Sequence, residues 1–339
     1  MIDHYIKSFT KLRRDVSSSR WSADTNNGAP HKPFLLLSIM DLIAQSIFKT
    51  NFIDLNAELI DTFDLYWVKV MGQNKDGSPI LPFYHLKSDK FWHLVPVPGM
   101  EPGLVAVRQI RSISQLRQLI LGARFDDELF KLLLKGNERD QLRRVLIETY
   151  FAPNVRPKLV EVGQITAESF QYSLELLNRL RGRFTLKETP EVDEQYRTES
   201  RSVAFRRIVV GAYEHTCAVC RIRLVTPEGR TAVSAAHIMP WRFNHNDDPR
   251  NGIALCGLHH WSFDQGLIGV TSDYRILVSP VIPEDQESAK PILLLSGQEL
   301  YLPKNQALKP AKQALKWHRD HIFRAETPLT RNEIGKVVA

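Results

Sequence analysis

The chain has 339 residues, 43% of them apolar and 24% charged, with a formal net charge of +7. That length allows two separate cores, the composition is that of an ordinary globular protein, and no apolar run approaches the ~20 residues that cross a bilayer, which excludes a helical membrane protein. The opening MIDHYIKSFTKLRRD lacks both an apolar secretory segment and a small-residue cleavage site, so a cytoplasmic protein with no membrane partner is expected.

In chain order, residues 1–14 carry Tyr5, Ile6, Phe9 and Leu12 at helical spacing. Residues 17–32 are polar and turn-rich, with Arg20, Trp21, His31 and Lys32 among them. Pro33 opens FLLLSIMDLIAQSIF, which reads as a buried core helix, since proline suits the first turn. Residues 55–71 read as another helix. In residues 80–97, Phe83, Tyr84, Phe91 and Trp92 are interleaved with His85, Lys87, Lys90 and His93. Pro82 makes the first half of that stretch a loop or strand end, and the second half reads as a strand.

Helices with solvated charged faces are predicted over 112–122 and 126–151. Residues 152–165, with Pro153 and Pro157, lose the pattern, and a polar helix is predicted over 166–182. The charge and turn residues of 186–201 suit a linker. A helix over 202–214 then delivers the chain to Cys217. Farther on, LIGVTSDYRILVSP alternates like a β-pair with its turn at Ser272 and Asp273, and QALKPAKQALKWHRDHIFR closes the chain as a basic amphipathic helix.

All three cysteines lie within residues 217–266. Cys217 and Cys220 form a C-x2-C knuckle, and Cys256 and His259 a C-x2-H knuckle. In a chain with no disulfide framework, four such ligands suit a tetrahedral Zn²⁺. The site would be structural, because four protein ligands leave no open position. The competing reading is that Cys256 is simply a core thiol.

Around the knuckles run Ala236-His237-Ile238-x-Pro240-Trp241, then Asn251-Gly252-x-x-Leu255-Cys256, then His259-His260-x-x-Phe263-Asp264-x-Gly266. Together these resemble HNH endonucleases of the ββα-metal kind, over about residues 203–325. The resemblance implies that His237 is the general base and that Asn251 fixes the hairpin and that base. It further implies that His260 binds a single Mg²⁺ or Mn²⁺. Asp264, four residues on, would be a second ligand or its orienter, or else a helix-capping or ion-pairing residue. Many members carry an acidic metal ligand just before the base histidine, where this chain has Ala236. Asp264 or water would then complete the metal shell. His215 and His245 read as surface or packing residues.

In the N-terminal half, Ala29-Pro30-His31-Lys32-Pro33 precedes Leu35-Leu36-Leu37, and Leu81-Pro82-Phe83-Tyr84-His85-Leu86 precedes Phe91-Trp92-His93-Leu94. This order is similar to the sulfur-binding domains of type IV, modification-dependent restriction enzymes. The resemblance implies recognition of a DNA phosphorothioate. Pro82 with Phe83 or Tyr84 would form an apolar cup for the poorly hydrated sulfur, and Arg20, His31, Lys32, His85 and Lys87 would supply charge and hydrogen bonds. The family often has an aromatic residue where this chain has Leu81. A second reading makes the mark a flipped, methylated cytosine. A third is a non-catalytic, zinc-stapled DNA-binding module, against which the intact His237, Asn251 and His260 speak.

The expected fold is α+β. A mostly helical sulfur-binding domain with a small β-sheet would occupy 1–155, a helix and linker 156–201, and a ββα-metal HNH domain with a structural zinc 202–339. Double-stranded DNA is the expected partner, and the need for two strand cuts suits a homodimer. Arg242, Arg250, Lys309, Lys312, Lys316 and Arg319 would touch phosphates and make binding salt-dependent.

Overall fold

The computed structural model describes residues 2–73, 77–106, 110, 113–186, 196–226 and 230–325. The chain divides into two units, Met1–Ala167 with Thr226–Arg230, and Glu168–Val225 with Thr231–Ala339. The fold is α+β, with helices and short antiparallel sheets in both units.

In the first unit, α1 (Ile2–Phe9) lays Tyr5 and Phe9 on the core. Helix α2 (His31–Ala44) is mostly apolar, and every residue from Lys32 to Ile43 is buried. A helix buried on every face must be surrounded. Helix α2 is accordingly packed by α3 (Ala57–Met71), α4 (Ile80–His85), α7 (Asp127–Leu134) and α8 (Gly136–Tyr150). The Asn56 side chain caps α3 by accepting the Leu59 N–H at 2.9 Å. Strand β1 (Trp92–Pro96) pairs antiparallel with β2 (Ile120–Phe125), Trp92 opposite Phe125, and α5 (Glu101–Ala106) and α6 (Ile113–Leu119) lie between them in sequence.

Four expectations are corrected here. Residues 80–85 form helix α4 rather than a loop or strand end. Pro82 falls in its first turn, where the missing N–H has no intrahelical acceptor to lose. The helix predicted over 112–122 ends at Leu119 and runs into β2, because pairing with β1 overrides local preference. The helix predicted over 126–151 is two helices. It breaks at Lys135, whose backbone is extended just before Gly136, and the Arg139 guanidinium takes up the Leu133 carbonyl at 2.8 Å. The patternless 152–165 contains the start of α9 (Arg156–Arg179), a helix of 24 residues with Pro157 in its first turn.

The division between the units falls inside α9. Of the linker expected over 186–201, residues 187–195 lie outside the described residues, and α10 (Thr198–Ala212) already covers 198–201. In the second unit Tyr172 and Leu176 of α9 pack on Ala204 of α10. Helix α10 in turn packs on a hairpin of β3 (Val233–His237) and β4 (Gly252–Cys256), in which His237 lies opposite Gly252. The connection includes α11 (Trp241–Asn244), and α12 (Gly257–Asp264) follows β4 directly. The expected second hairpin is present as β5 (Ile268–Val270) and β6 (Ile276–Val278). Helix α13 (Lys290–Leu293) follows, and α14 (Lys312–His321) closes the unit with Ala314, Leu315 and His318 buried. Among the described residues, no helix is long and apolar enough to cross a membrane.

Candidate functional site

The β3–β4 hairpin and α12 build one centre from the two knuckles. The Ala218 N–H donates to the Ala254 carbonyl at 2.8 Å, tying the first knuckle to β4. Cys256 ends β4 and His259 sits in the first turn of α12. His259 Nδ1 lies 3.5 Å from Cys217 Sγ and 3.2 Å from Cys256 Sγ, and Cys220 Sγ lies 3.9 Å from Cys256 Sγ. The four ligand atoms all fall within 4.8 Å of one another. A tetrahedral zinc with Zn–S near 2.3 Å has ligand edges of about 3.8 Å, so the set fits Zn²⁺.

The thiols respond to this crowding unequally. Burial pushes the Cys217 thiol up, but hydrogen bonds from His259 and from backbone N–H groups outweigh it and hold the thiol at about 6. Cys220 is pushed up to about 12 by burial and by the Cys217 charge, and Cys256 is raised for the same reasons. Three sulfurs in one shell cannot all be thiolates unless a cation neutralises them, which is the chemistry zinc supplies.

A second group of side chains gathers at the other end of β3. His237, the last residue of that strand, stacks on Phe205 of α10 with ring centroids 3.9 Å apart and planes 2° from parallel. Gly252 permits this close approach. A Cβ there would sit 2.4 Å from Val209 and 2.9 Å from the Phe205 ring. His237 Nε2 lies 2.8 Å from Oδ1 of Asp247. Oδ2 of Asp247 accepts from Arg201 Nε at 3.1 Å, from Arg201 Nη2 at 2.9 Å and from the Tyr172 hydroxyl at 3.1 Å. Burial opposes ionisation of Asp247, yet the His237 hydrogen bond and the charges of His237 and Arg201 prevail and hold it below the usual carboxylate range. Burial and the Asp247 charge together push the Tyr172 hydroxyl far above its usual range.

Asn251 is fully buried. Its Oδ1 accepts the Met239 N–H at 3.0 Å, and its Nδ2 donates to the carbonyls of Met239 at 3.0 Å and Asn246 at 2.9 Å. It thereby clamps the chain that leaves His237 to the chain that presents Asp247. His260 Nδ1 meets Ser234 Oγ at 2.7 Å, and His260 Nε2 lies 3.6 Å from Oδ2 of Asp264. Burial raises the Asp264 carboxyl, opposed by positive charge from His260, Arg242 and His237. Ala236 is buried in the core. Among the described residues only the Cys217, Cys220, Cys256 and His259 set gathers three or more metal-ligating groups. His260 and Asp264 therefore offer two ligands, an imidazole nitrogen and a carboxylate oxygen. That pair suits Mg²⁺ or Mn²⁺, with water and phosphate oxygens filling the shell.

In the first unit the predicted residues separate. His31, Lys32, Pro82 and His85 line a cleft of about 890 Å³, together with Leu81, Trp21, Arg13 and Arg14. Phe83 and Tyr84 do not form its cup. They are core residues, because the helical turn at 80–85 points them inward, and Leu81 with Pro82 supplies the apolar wall instead. Arg20 and Lys87 also lie off the cleft wall. Arg20 pairs with Asp15 at 2.9 Å, and Lys87 donates to the Tyr84 hydroxyl at 2.5 Å. Lys32 is buried and pairs with Asp89 at 2.5 Å. Burial lowers His31 to about 4, so at neutral pH it offers hydrogen bonds rather than charge. His85 is lowered by burial and then by Lys32 and Lys87.

Two expected phosphate contacts are redirected. Arg250 closes on Asp248 at 2.7 Å and on the carbonyls of Gly182 and Arg179. Arg319 donates to the Val270 carbonyl at 2.6 Å. Both guanidiniums tie loops together. Asp247, Arg201 and Tyr172 escaped the sequence reading, because they are 46 or more residues apart in at least one pairing and share no motif. The one local signal was an acidic pair, Asp247-Asp248, lying between His237 and Asn251 and nearer to Asn251.

Residues 217–271 match the family model described as HNH endonuclease. This region is an HNH endonuclease domain, and the match supports a nuclease. No curated protein matches the chain. One solved structure similar to it is that of a modification dependent TagI restriction endonuclease, at 21% identity and a TM-score of 0.29, covering 43% of this chain and 46% of that chain. That likeness spans less than half of either protein.

Proposed function

We propose that the protein is a restriction endonuclease that hydrolyses double-stranded DNA at the HNH centre and reads a phosphorothioate with its first unit. The observation that carries the nuclease reading is the pairing, on one ββα element, of a stacked and hydrogen-bonded His237 with the His260–Asp264 pair. His237 takes the proton of the attacking water, a role suited to an imidazole near neutral pH. His260 and Asp264 hold the divalent cation, with Ser234 orienting the His260 ring. When bound, that cation neutralises charge on the scissile phosphate and the departing oxygen. Asn251 keeps the loop after His237 in register with the loop that carries Asp247. The four-ligand zinc site stiffens the same hairpin without entering the reaction.

The reading of the mark rests on the cleft. Leu81 and Pro82 form an apolar wall, with the neutral His31 and the cationic Arg13 and Arg14 around it. Sulfur is larger and less well hydrated than oxygen. A wall that offers little hydration therefore costs a phosphorothioate less than a phosphate, and the cations hold either one. The test is cleavage of one duplex sequence in three forms, plain, cytosine-methylated and phosphorothioate-bearing, with Mg²⁺ and Mn²⁺ in turn. Preferential cutting of the phosphorothioate form supports the proposal, and equal cutting of all three ends the reader assignment. His237→Ala should lower the cleavage rate by about 10²–10⁴-fold, and an unchanged rate would end the nuclease assignment.

A further inference from the structure

We propose that Asp247 is the positioning residue of the HNH centre: it fixes His237 with its proton on Nε2, so that Nδ1 is the atom that receives the proton from water. The inference rests on the nuclease reading and deepens it. Its ground is the donor count at one buried carboxylate. Oδ2 of Asp247 is filled by three donor contacts, two from Arg201 and one from Tyr172, and Oδ1 by His237 alone. An ionised carboxylate only accepts hydrogen bonds. The ring nitrogen 2.8 Å from Oδ1 must therefore carry a hydrogen, and that nitrogen is Nε2. A neutral imidazole with its proton on Nε2 has its lone pair on Nδ1.

Three features keep this arrangement rigid. The Phe205 ring lies 2° from parallel to the imidazole and sets its plane. Arg201, itself buried, stacks over Trp241 with the guanidinium carbon 4.7 Å from the ring centroid. Tyr172 and Arg201 come from two helices, α9 and α10, so the carboxylate is held from outside the hairpin that carries the histidine. Arg201 also balances the charge of Asp247. In the step itself, a water O–H bond breaks and its proton joins Nδ1. The oxygen keeps the electron pair and bonds to phosphorus. The phosphorus bond to the departing oxygen breaks with its pair on that oxygen, which solvent protonates. The imidazolium so formed has N–H on both sides, and Asp247 accepts from one of them.

Asp247→Asn is the discriminating change. Arg201 can only donate, so the Asn oxygen turns to it and the amide NH₂ faces His237. Nε2 must then accept, which moves the ring proton to Nδ1 and removes the base. Asp247→Asn should lower the cleavage rate by about 10²–10⁴-fold while duplex binding and zinc content stay at wild-type values. The double variant Asp247→Asn/His237→Ala should be no slower than His237→Ala alone, because both act through one proton acceptor. Nitrogen NMR of histidine-labelled, zinc-loaded full-length protein should find His237 protonated on Nε2 in the wild type and on Nδ1 in Asp247→Asn.

Wild-type cleavage by Asp247→Asn, or a wild-type His237 protonated on Nδ1, overturns the proposal. Should the variant fail to fold, the wild-type NMR measurement still decides it. Failure of the nuclease reading looks different. His237→Ala would then match the wild type in cleavage, whatever the tautomer.

Discussion

Each half of the chain buries one aspartate against an arginine and a tyrosine. In the first unit Asp41 takes hydrogen bonds from Arg143, from the Tyr66 hydroxyl at 2.7 Å and from the Thr166 hydroxyl at 3.1 Å. In the second unit Asp247 takes them from Arg201, Tyr172 and His237. Both carboxylate side chains are 4% exposed. The difference lies in the last partner. Thr166 is fully buried, whereas the His237 side chain is 24% exposed and brings the network to the surface as a titratable ring. The same carboxylate chemistry therefore locks four helices together in one unit and holds a titratable ring in the other. A buried ion pair is not in itself a sign of function. What it reaches decides its role.

The largest effect tests what the Asp247 network stands on. Removing zinc with a strong chelator, or replacing Cys217 by Ser, should unfold the hairpin that carries His237, since structural zinc sites contribute roughly 10–16 kcal/mol in small domains. Calorimetry should show loss of the second unit's transition, with the first unit's transition kept. A chelated protein that keeps both transitions would mean that the hairpin is held without metal.

Next in size is Asp41→Ala, which takes the carboxylate away from the part-buried Arg143 guanidinium. It should destabilise the first unit by about 3–5 kcal/mol in chemical denaturation. The cleavage rate per folded molecule on a plain duplex should stay at the wild-type value. A specific loss of that rate would erase the contrast between the two aspartates.

The smallest effect is in acid. Asp247 has a depressed folded-state pKa, so its stabilisation is complete above the unfolded value of about 3.9 and is lost as pH falls below it. His31, held neutral at about 4, behaves alike in sign but in a higher window. The unfolded chain binds its proton first, so stability is lost as pH falls from about 6.5 towards 4. Acid titration of stability should therefore show the loss from His31 first. His31→Asn should flatten the slope between those two values, and Asp247→Asn the slope below them.

Much of the HNH region and its metal cluster was legible because the signals are local. A C-x2-C turn, a C-x2-H turn at a helix start and a histidine at a strand end need only neighbouring residues to be read. The mostly apolar α2 was legible for the same reason, since its run of large apolar residues left no wide face to meet water. The errors came where distant chain overrode local preference. Residues 120–125 became a strand because β1 lay beside them. Phe83 and Tyr84 turned into the core because a short helix, tolerant of Pro82, replaced the expected loop.

By itself the sequence determined the four ligand types of the Cys217, Cys220, Cys256 and His259 cluster, the HNH motif that contains His237, Asn251 and His260, and the presence of a large apolar core in the first half. Those follow from residue chemistry and short spacing. Only the tertiary structure decided that Asp247 meets His237, that Arg201 and Tyr172 hold it there, and that Leu81 and Pro82 rather than the neighbouring aromatics wall the cleft. The physical reason is that a hydrogen bond or a buried face depends on where two backbones come to lie. Tyr172 and Asp247 are 75 residues apart in the chain, and no periodicity or motif records such a meeting.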